Sequence, residues 1–136
     1  MDTLELRWRN VGGKGASGFW DIVVSGKSLY DHFGSDNVPL LGTVNSQAES
    51  NAVDRMLLLA PGDYESGRVA LLVCPLCADL DCGAVSVHIE QSDNIVTWSD
   101  FRLTPNTDEA HEELVDLGSY RFEVDRYRSA ILNRAR

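Results

Sequence analysis

The sequence lacks the long apolar segments that membrane proteins require. Its longest apolar runs, residues 56–60 and 69–74, are about five residues long, whereas a helix that spans a bilayer needs roughly 20. The first residues, Met1 to Trp8, include no basic region followed by an apolar stretch, so we expect no secretory signal. We therefore predict a cytoplasmic protein that has no membrane partner.

Cysteine is scarce as well. Cys74, Cys77 and Cys82 are the three cysteines of the chain, and an odd number excludes a complete set of disulfides within one chain. Reduced thiols in a cytoplasmic protein are the expected state.

Basic residues are few relative to acidic ones. The chain has 12 Lys and Arg against 21 Asp and Glu, which gives a net charge of -9. Nucleic acids and anionic membranes bind basic surfaces, so the composition excludes both as direct partners. A basic protein partner fits this charge.

Catalytic motifs are missing too. The histidines, His32, His88 and His111, lie in three separate predicted elements, and the sequence has no His-Glu-x-x-His, Gly-x-Ser-x-Gly or phosphate-loop pattern. His88 with Glu90 resembles an acid–base pair, but such a pair usually belongs to a solvated sheet face. We expect neither an enzyme nor a bound cofactor.

What the sequence does contain is a clear strand pattern. Apolar and polar residues alternate with a period of two over residues 4–9, 20–24, 85–90, 96–99 and 120–124. Val69 to Val73 is a continuous apolar run, typical of a strand buried on both faces. A turn at Ser92-Asp93 would pair Ile89 with Val96 and Val87 with Trp98, and so collect the apolar side chains on one face.

Helical patterns occupy the segments between these strands. They cover a short turn at 28–33, a helix at about 47–59, a short helix at 108–117 and a last helix after Asp125, which we predict to be its cap. The order of elements predicts one α+β domain over residues 1–136. It has a single twisted, mostly antiparallel sheet of about five or six strands and two to four helices.

The acid is concentrated in one segment. Residues 100–120 include one basic and six acidic side chains, whereas residues 121–136 include five basic and two acidic ones. A solvated helix face would explain the pattern, and so would a surface that attracts a basic partner. On the second interpretation the partner-binding residues are Asp108, Glu109, Glu112, Glu113 and Asp116.

The cysteines form an unusual loop, Cys-Pro-Leu-Cys-Ala-Asp-Leu-Asp-Cys-Gly at residues 74–83. Their spacing permits a zinc site or a redox-active thiol pair. His88 is a poor fourth zinc ligand, because six strand residues separate its α-carbon from that of Cys82 by roughly 20 Å. A tight turn lined by small buried thiols is the third interpretation.

Two stretches, Leu71 to Val85 and Val96 to Phe101, resemble a family of small bacterial proteins of uncharacterised function. The general type is similar to immunity proteins of bacterial toxin systems, such as contact-dependent growth inhibition. This resemblance implies a small acidic protein that binds a toxic nuclease and occludes its active or substrate site. The alternative function is that of a zinc-binding or thiol-redox protein centred on Cys74, Cys77 and Cys82.

Overall fold

The computed structural model of the chain describes residues 1–10, 18–33, 37–42, 46–73, 83–105, 109 and 112–134. These residues form nine strands and three helices. The strands are β1 Leu4–Asn10, β2 Gly18–Val24, β3 Lys27–Ser28, β4 Val38–Pro39, β5 Val69–Val73, β6 Ala84–Ser92, β7 Ile95–Thr104, β8 Glu113–Leu114 and β9 Tyr120–Glu123. The helices are α1 Leu29–Phe33, α2 Ser46–Met56 and α3 Val124–Leu132.

The fold is α+β, as predicted, and the strands pair antiparallel. A six-stranded sheet has the order β4-β5-β6-β7-β8, and β9 also pairs with β7. The predicted N-terminal strands pair with each other, but they form a separate three-stranded sheet of order β1-β2-β3. Helix α3 packs against β1 as well as β7 and β9, so it joins the two sheets.

The predicted register of the β6–β7 hairpin is wrong by two residues. Ile89 lies opposite Trp98 instead of Val96, because the turn is formed by the two residues between Ser92 and Ile95. The first of them, Asp93, has a left-handed φ of 55°, which Asp tolerates better than most residues. A shift of two residues keeps every side chain on its face, so Ile89 and Trp98 are buried as expected.

A β-bulge follows in the same hairpin, between the pairs Ser86–Arg102 and His88–Ser99. Asp100 occupies the bulge with a φ of 57°. The extra residue brings Phe101 onto the same buried face as Trp98, and their rings meet edge to face with centroids 6.4 Å apart.

Two helices differ from their predictions, α2 in its last residue and α3 in its N-terminal cap. Helix α2 ends at Met56, three residues before the predicted end, and Leu58 beyond it has a φ of 61°. Helix α3 is capped by Glu123 and not by Asp125: the Glu123 carboxylate accepts from the amides of Asp125 and Arg126 at 3.2 and 3.0 Å.

The prediction of a helix over residues 108–117 is wrong for residues 112–117. Glu113 and Leu114 form the short strand β8, and the amide of Val115 donates to the carbonyl of Phe101 at 2.9 Å. Hydrogen bonds to the free side of β7 and the packing of Val115 against the core outweigh the weak helical preference of this acidic segment. No helix of the described part is long and apolar enough to cross a membrane.

Candidate acidic binding edge

Strand β8 lies at an outer margin of the six-stranded sheet and positions the acidic segment predicted from the sequence. Leu114 lies opposite Arg102, and Glu113 lies opposite Leu103. Residues 112–116 form a continuous border here, which is the acidic edge. Strand β7 bonds to its main chain at Val115, and the side chain of Val115 packs against the core.

The structure separates the predicted partner-binding residues into two groups. Glu113 and Asp116 are exposed, and neither forms an ion pair with the described residues. Glu112 is largely covered, and one of its carboxylate oxygens lies 4.0 Å from the guanidinium of Arg102. Glu109 accepts a hydrogen bond from the hydroxyl of Ser66. Asp108 lies outside the described residues.

The carboxylate of Glu112 is only partly satisfied. Its Oε2 atom is buried and finds no hydrogen-bond partner among the described residues. A buried carboxylate oxygen without a donor is costly. Glu112 therefore belongs to the inner side of the edge, and the charge available to a partner is that of Glu113 and Asp116.

Two arginines, Arg68 and Arg102, bind Asp100 on strand β7 next to this edge. Arg68 is buried and donates to Asp100 Oδ2 at 3.1 Å, while Arg102 donates to Asp100 Oδ1 at 2.7 Å. The hydrogen bond from Arg102, aided by the charge of Arg68, lowers the pKa of the Asp100 carboxyl. Asp100 is thus a paired structural carboxylate, although it lies close in sequence to the acidic edge.

The acidic edge also exposes apolar surface. Leu114 is 67% exposed, and Leu103 on the adjacent strand is 38% exposed. An apolar side chain flanked by Glu113 and Asp116 gives a partner both burial and charge to recognise. The sequence analysis identified the acids, but it assigned the segment to a helix and did not single out Leu114.

A second polar cluster lies on the three-stranded sheet and was not predicted. Asp21 is 4% exposed in the middle of β2. Its carboxylate accepts from Ser28 Oγ at 2.8 Å and from Arg9 at 3.2 Å. Arg9 also contacts Asp31 at 2.9 Å and lies over the Tyr30 ring, 4.9 Å from its centroid. A cleft of about 370 Å³ adjoins these groups.

This cluster joins strands and helix and does not present a reactive group. Each charged group already has a partner, and the contact with Arg9 lowers the pKa of the Asp31 carboxyl. One signal in the sequence could have revealed it. Phe19 and Val23 share a face with Asp21 and are apolar, which marks that face as covered.

The structure does not describe the cysteines on which the zinc-binding or thiol-redox alternative depends. Cys74, Cys77 and Cys82 lie outside the described residues. Within the described part, no three His, Cys, Asp or Glu side chains are arranged to hold a metal ion. His88 and Glu90 do meet, with 3.2 Å between Nε2 and Oε1, on a solvated part of β6.

A scan against protein-family models and searches of the curated proteins and the solved structures give no match to this chain. The resemblance to immunity proteins therefore stays a prediction, and it is supported only by features of the chain itself.

Proposed function

We propose that this protein binds and inhibits a basic protein partner, in the manner of an immunity protein that neutralises a cognate toxin. One observation supports this function above the others. Glu113 and Asp116 are exposed and unpaired among the described residues, and they flank the exposed side chain of Leu114 at a sheet margin.

A nuclease toxin is the natural partner for such a surface. Its substrate cleft must be basic, because it binds a phosphate backbone. Carboxylates on a rigid sheet margin can occupy the positions of phosphates and exclude the substrate. Inhibition of this kind requires no chemistry by the inhibitor, which agrees with a chain whose sequence offers no catalytic motif.

Charge and apolar contact have different tasks in this proposal. Glu113 and Asp116 accelerate encounter with a basic surface, since long-range attraction acts mainly on the association rate. Burial of Leu114 stabilises the complex once formed, by about 1.5–3 kcal/mol for a fully buried leucine.

The direct test is co-expression with the product of the neighbouring gene. We expect a tight complex whose association slows as salt is raised, and a toxic activity of the neighbour that is suppressed in the complex. Absence of a complex with any neighbouring gene product would contradict the proposal.

A single charge reversal then locates the surface. Glu113→Lys should slow association with the basic partner by about tenfold, and it should change the dissociation rate much less. The matched control is Glu90→Lys, which changes the net charge equally at an exposed position of β6. Association and dissociation rates are measured by surface plasmon resonance. Equal effects of the two variants would show that the acidic edge is not the docking surface.

A further inference from the structure

The main chain of Leu114 faces away from the sheet. In an antiparallel ladder, residues alternate between those that bond to the neighbouring strand and those whose N–H and C=O point outward. The Val115 amide donates to Phe101 at 2.9 Å, so the Val115–Phe101 pair is a bonded pair. The next pair, Leu114–Arg102, is then a non-bonded pair. Leu114 therefore directs its N–H and C=O to the outside.

The other margins of the six-stranded sheet are protected. Strand β4 ends in Pro39, which has no N–H, and both its residues are buried. On β9 the outward residue is Arg121, whose N–H donates to Asp2 Oδ2 at 2.9 Å and whose carbonyl accepts from the Asp2 amide at 2.9 Å. Leu114 has no such cap among the described residues, and it is 67% exposed.

An open strand margin is a template for another strand. We propose that the partner adds an extended basic segment to β8, bonded to the main chain of Leu114. This inference rests on the proposed function and specifies how the acidic edge would recognise the partner. Strand β8 consists of Glu113 and Leu114, and the exposed acids beside the Leu114 main chain are Glu113 and Asp116.

Charge determines which strand can be added. Antiparallel pairing of two copies of this chain about Leu114 would bring Glu113 and Asp116 of each copy close to the same acids of the other, and like charges facing each other are destabilising. A segment with basic residues on either side of an apolar one would instead bring cations close to Glu113 and Asp116. The expected occupant is therefore an extended segment of a basic partner and not a second copy.

The probe is a capped peptide, Lys-Thr-Lys-Thr-Val-Thr-Lys-Thr-Lys, and its control is the same peptide with glutamate at every lysine. We expect the basic peptide to bind the whole chain and to protect the Leu114 amide from hydrogen exchange, as measured by NMR. An unprotected Leu114 amide in the peptide complex would overturn strand addition. Equal binding of the acidic peptide would overturn the charge assignment.

Two substitutions separate main chain from side chain. Leu114→Ala removes the side chain and keeps the outward N–H, whereas Leu114→Pro removes both and spares the bonds to β7. We expect Ala to weaken peptide binding by about tenfold, and Pro to weaken it by about a further tenfold through loss of the intermolecular hydrogen bond. Circular dichroism checks that each variant is folded. If the Pro variant does not fold, the amide-exchange experiment on the unaltered chain tests strand addition instead.

The outcomes distinguish this inference from the proposed function. Equal weakening by Ala and Pro would overturn strand addition while a salt-sensitive complex with the basic partner remained. Loss of that salt-sensitive complex altogether would overturn the proposed function itself.

Discussion

At the residue scale, Tyr127 has a buried hydroxyl with two hydrogen-bond partners in the core. Its hydroxyl donates to the carbonyl of Met56 at 2.6 Å and accepts from Trp98 Nε1 at 3.1 Å. Burial raises the pKa of this phenol far above its usual range. The three residues connect α3, α2 and β7, so one hydroxyl joins three elements of the fold.

Tyr127→Phe tests this connection. It leaves the Met56 carbonyl and the Trp98 indole N–H buried without a partner, and each unsatisfied group costs about 1–3 kcal/mol. We expect the free energy of unfolding to fall by about 2 kcal/mol or more, measured by urea denaturation. Tyr120→Phe is the control, because its hydroxyl forms one part-buried bond to Leu117. A loss no larger than that of the control would refute the role of the Tyr127 hydroxyl.

At the element scale, Asp2 joins the two sheets. Its carboxylate accepts from the Arg121 amide of β9 at 2.9 Å and from the Ser25 hydroxyl beyond β2 at 2.9 Å. The bond from the Arg121 amide is the main reason that the pKa of Asp2 lies below its ordinary value of 3.8. Asp2 thus caps the outward N–H and C=O groups of Arg121 on β9 and connects the two sheets by hydrogen bonds.

The lowered pKa makes this contribution depend on pH. Asp2 stabilises the folded state fully above its ordinary pKa of 3.8, and the stabilisation is lost as pH falls through the lower pKa of the folded state. Asp2→Asn should therefore reduce the free energy of unfolding near neutral pH, and its difference from the unaltered chain should shrink in strong acid. Urea denaturation over a pH series measures this difference. A difference that stays constant from neutral to acid pH would contradict the prediction, and Glu65→Gln supplies a control at an exposed acid.

At the scale of the whole molecule, the acidic edge and a group of exposed arginines lie toward different ends of β7. Strand β8 pairs with residues 102–103 of β7, whereas β9 pairs with residues 95–98. The exposed arginines Arg121, Arg126 and Arg128 follow at the β9 and α3 end. Exposed arginines therefore lie at the end of β7 away from the acidic edge, where they are mixed with acids such as Glu90, Asp93 and Asp125.

The exposed charges of the acidic edge predict how partner binding depends on salt. The association rate should fall steeply as ionic strength rises, because salt screens exposed charges over a Debye length of about 10 Å at 0.1 M. The dissociation rate should change little, since Leu114 and main-chain contacts are short-ranged. Stopped-flow kinetics over a salt series measure both rates. A flat association rate would show that the acidic edge does not steer the partner.

Sequence patterns predicted the parts of this fold that depend on local periodicity. The alternation at residues 85–90 and 96–99 identifies the β6–β7 hairpin and its buried face, and the apolar run Val69 to Val73 identifies a strand covered on both sides. The fold class follows from the order of such elements. The register did not follow, because a shift of two residues preserves the same alternation.

The sequence by itself determined an acidic α+β chain, with an excess of acid before residue 117 and an excess of base after residue 120. Only the tertiary structure decided that the acidic segment is a sheet margin, that Glu112 turns inward and that Leu114 faces outward. The physical reason is that helix and strand differ little in local free energy for such a segment. The strand forms because it bonds to the free side of β7 and because Val115 packs against the core. Both interactions involve residues that are distant in sequence and meet only in the folded chain.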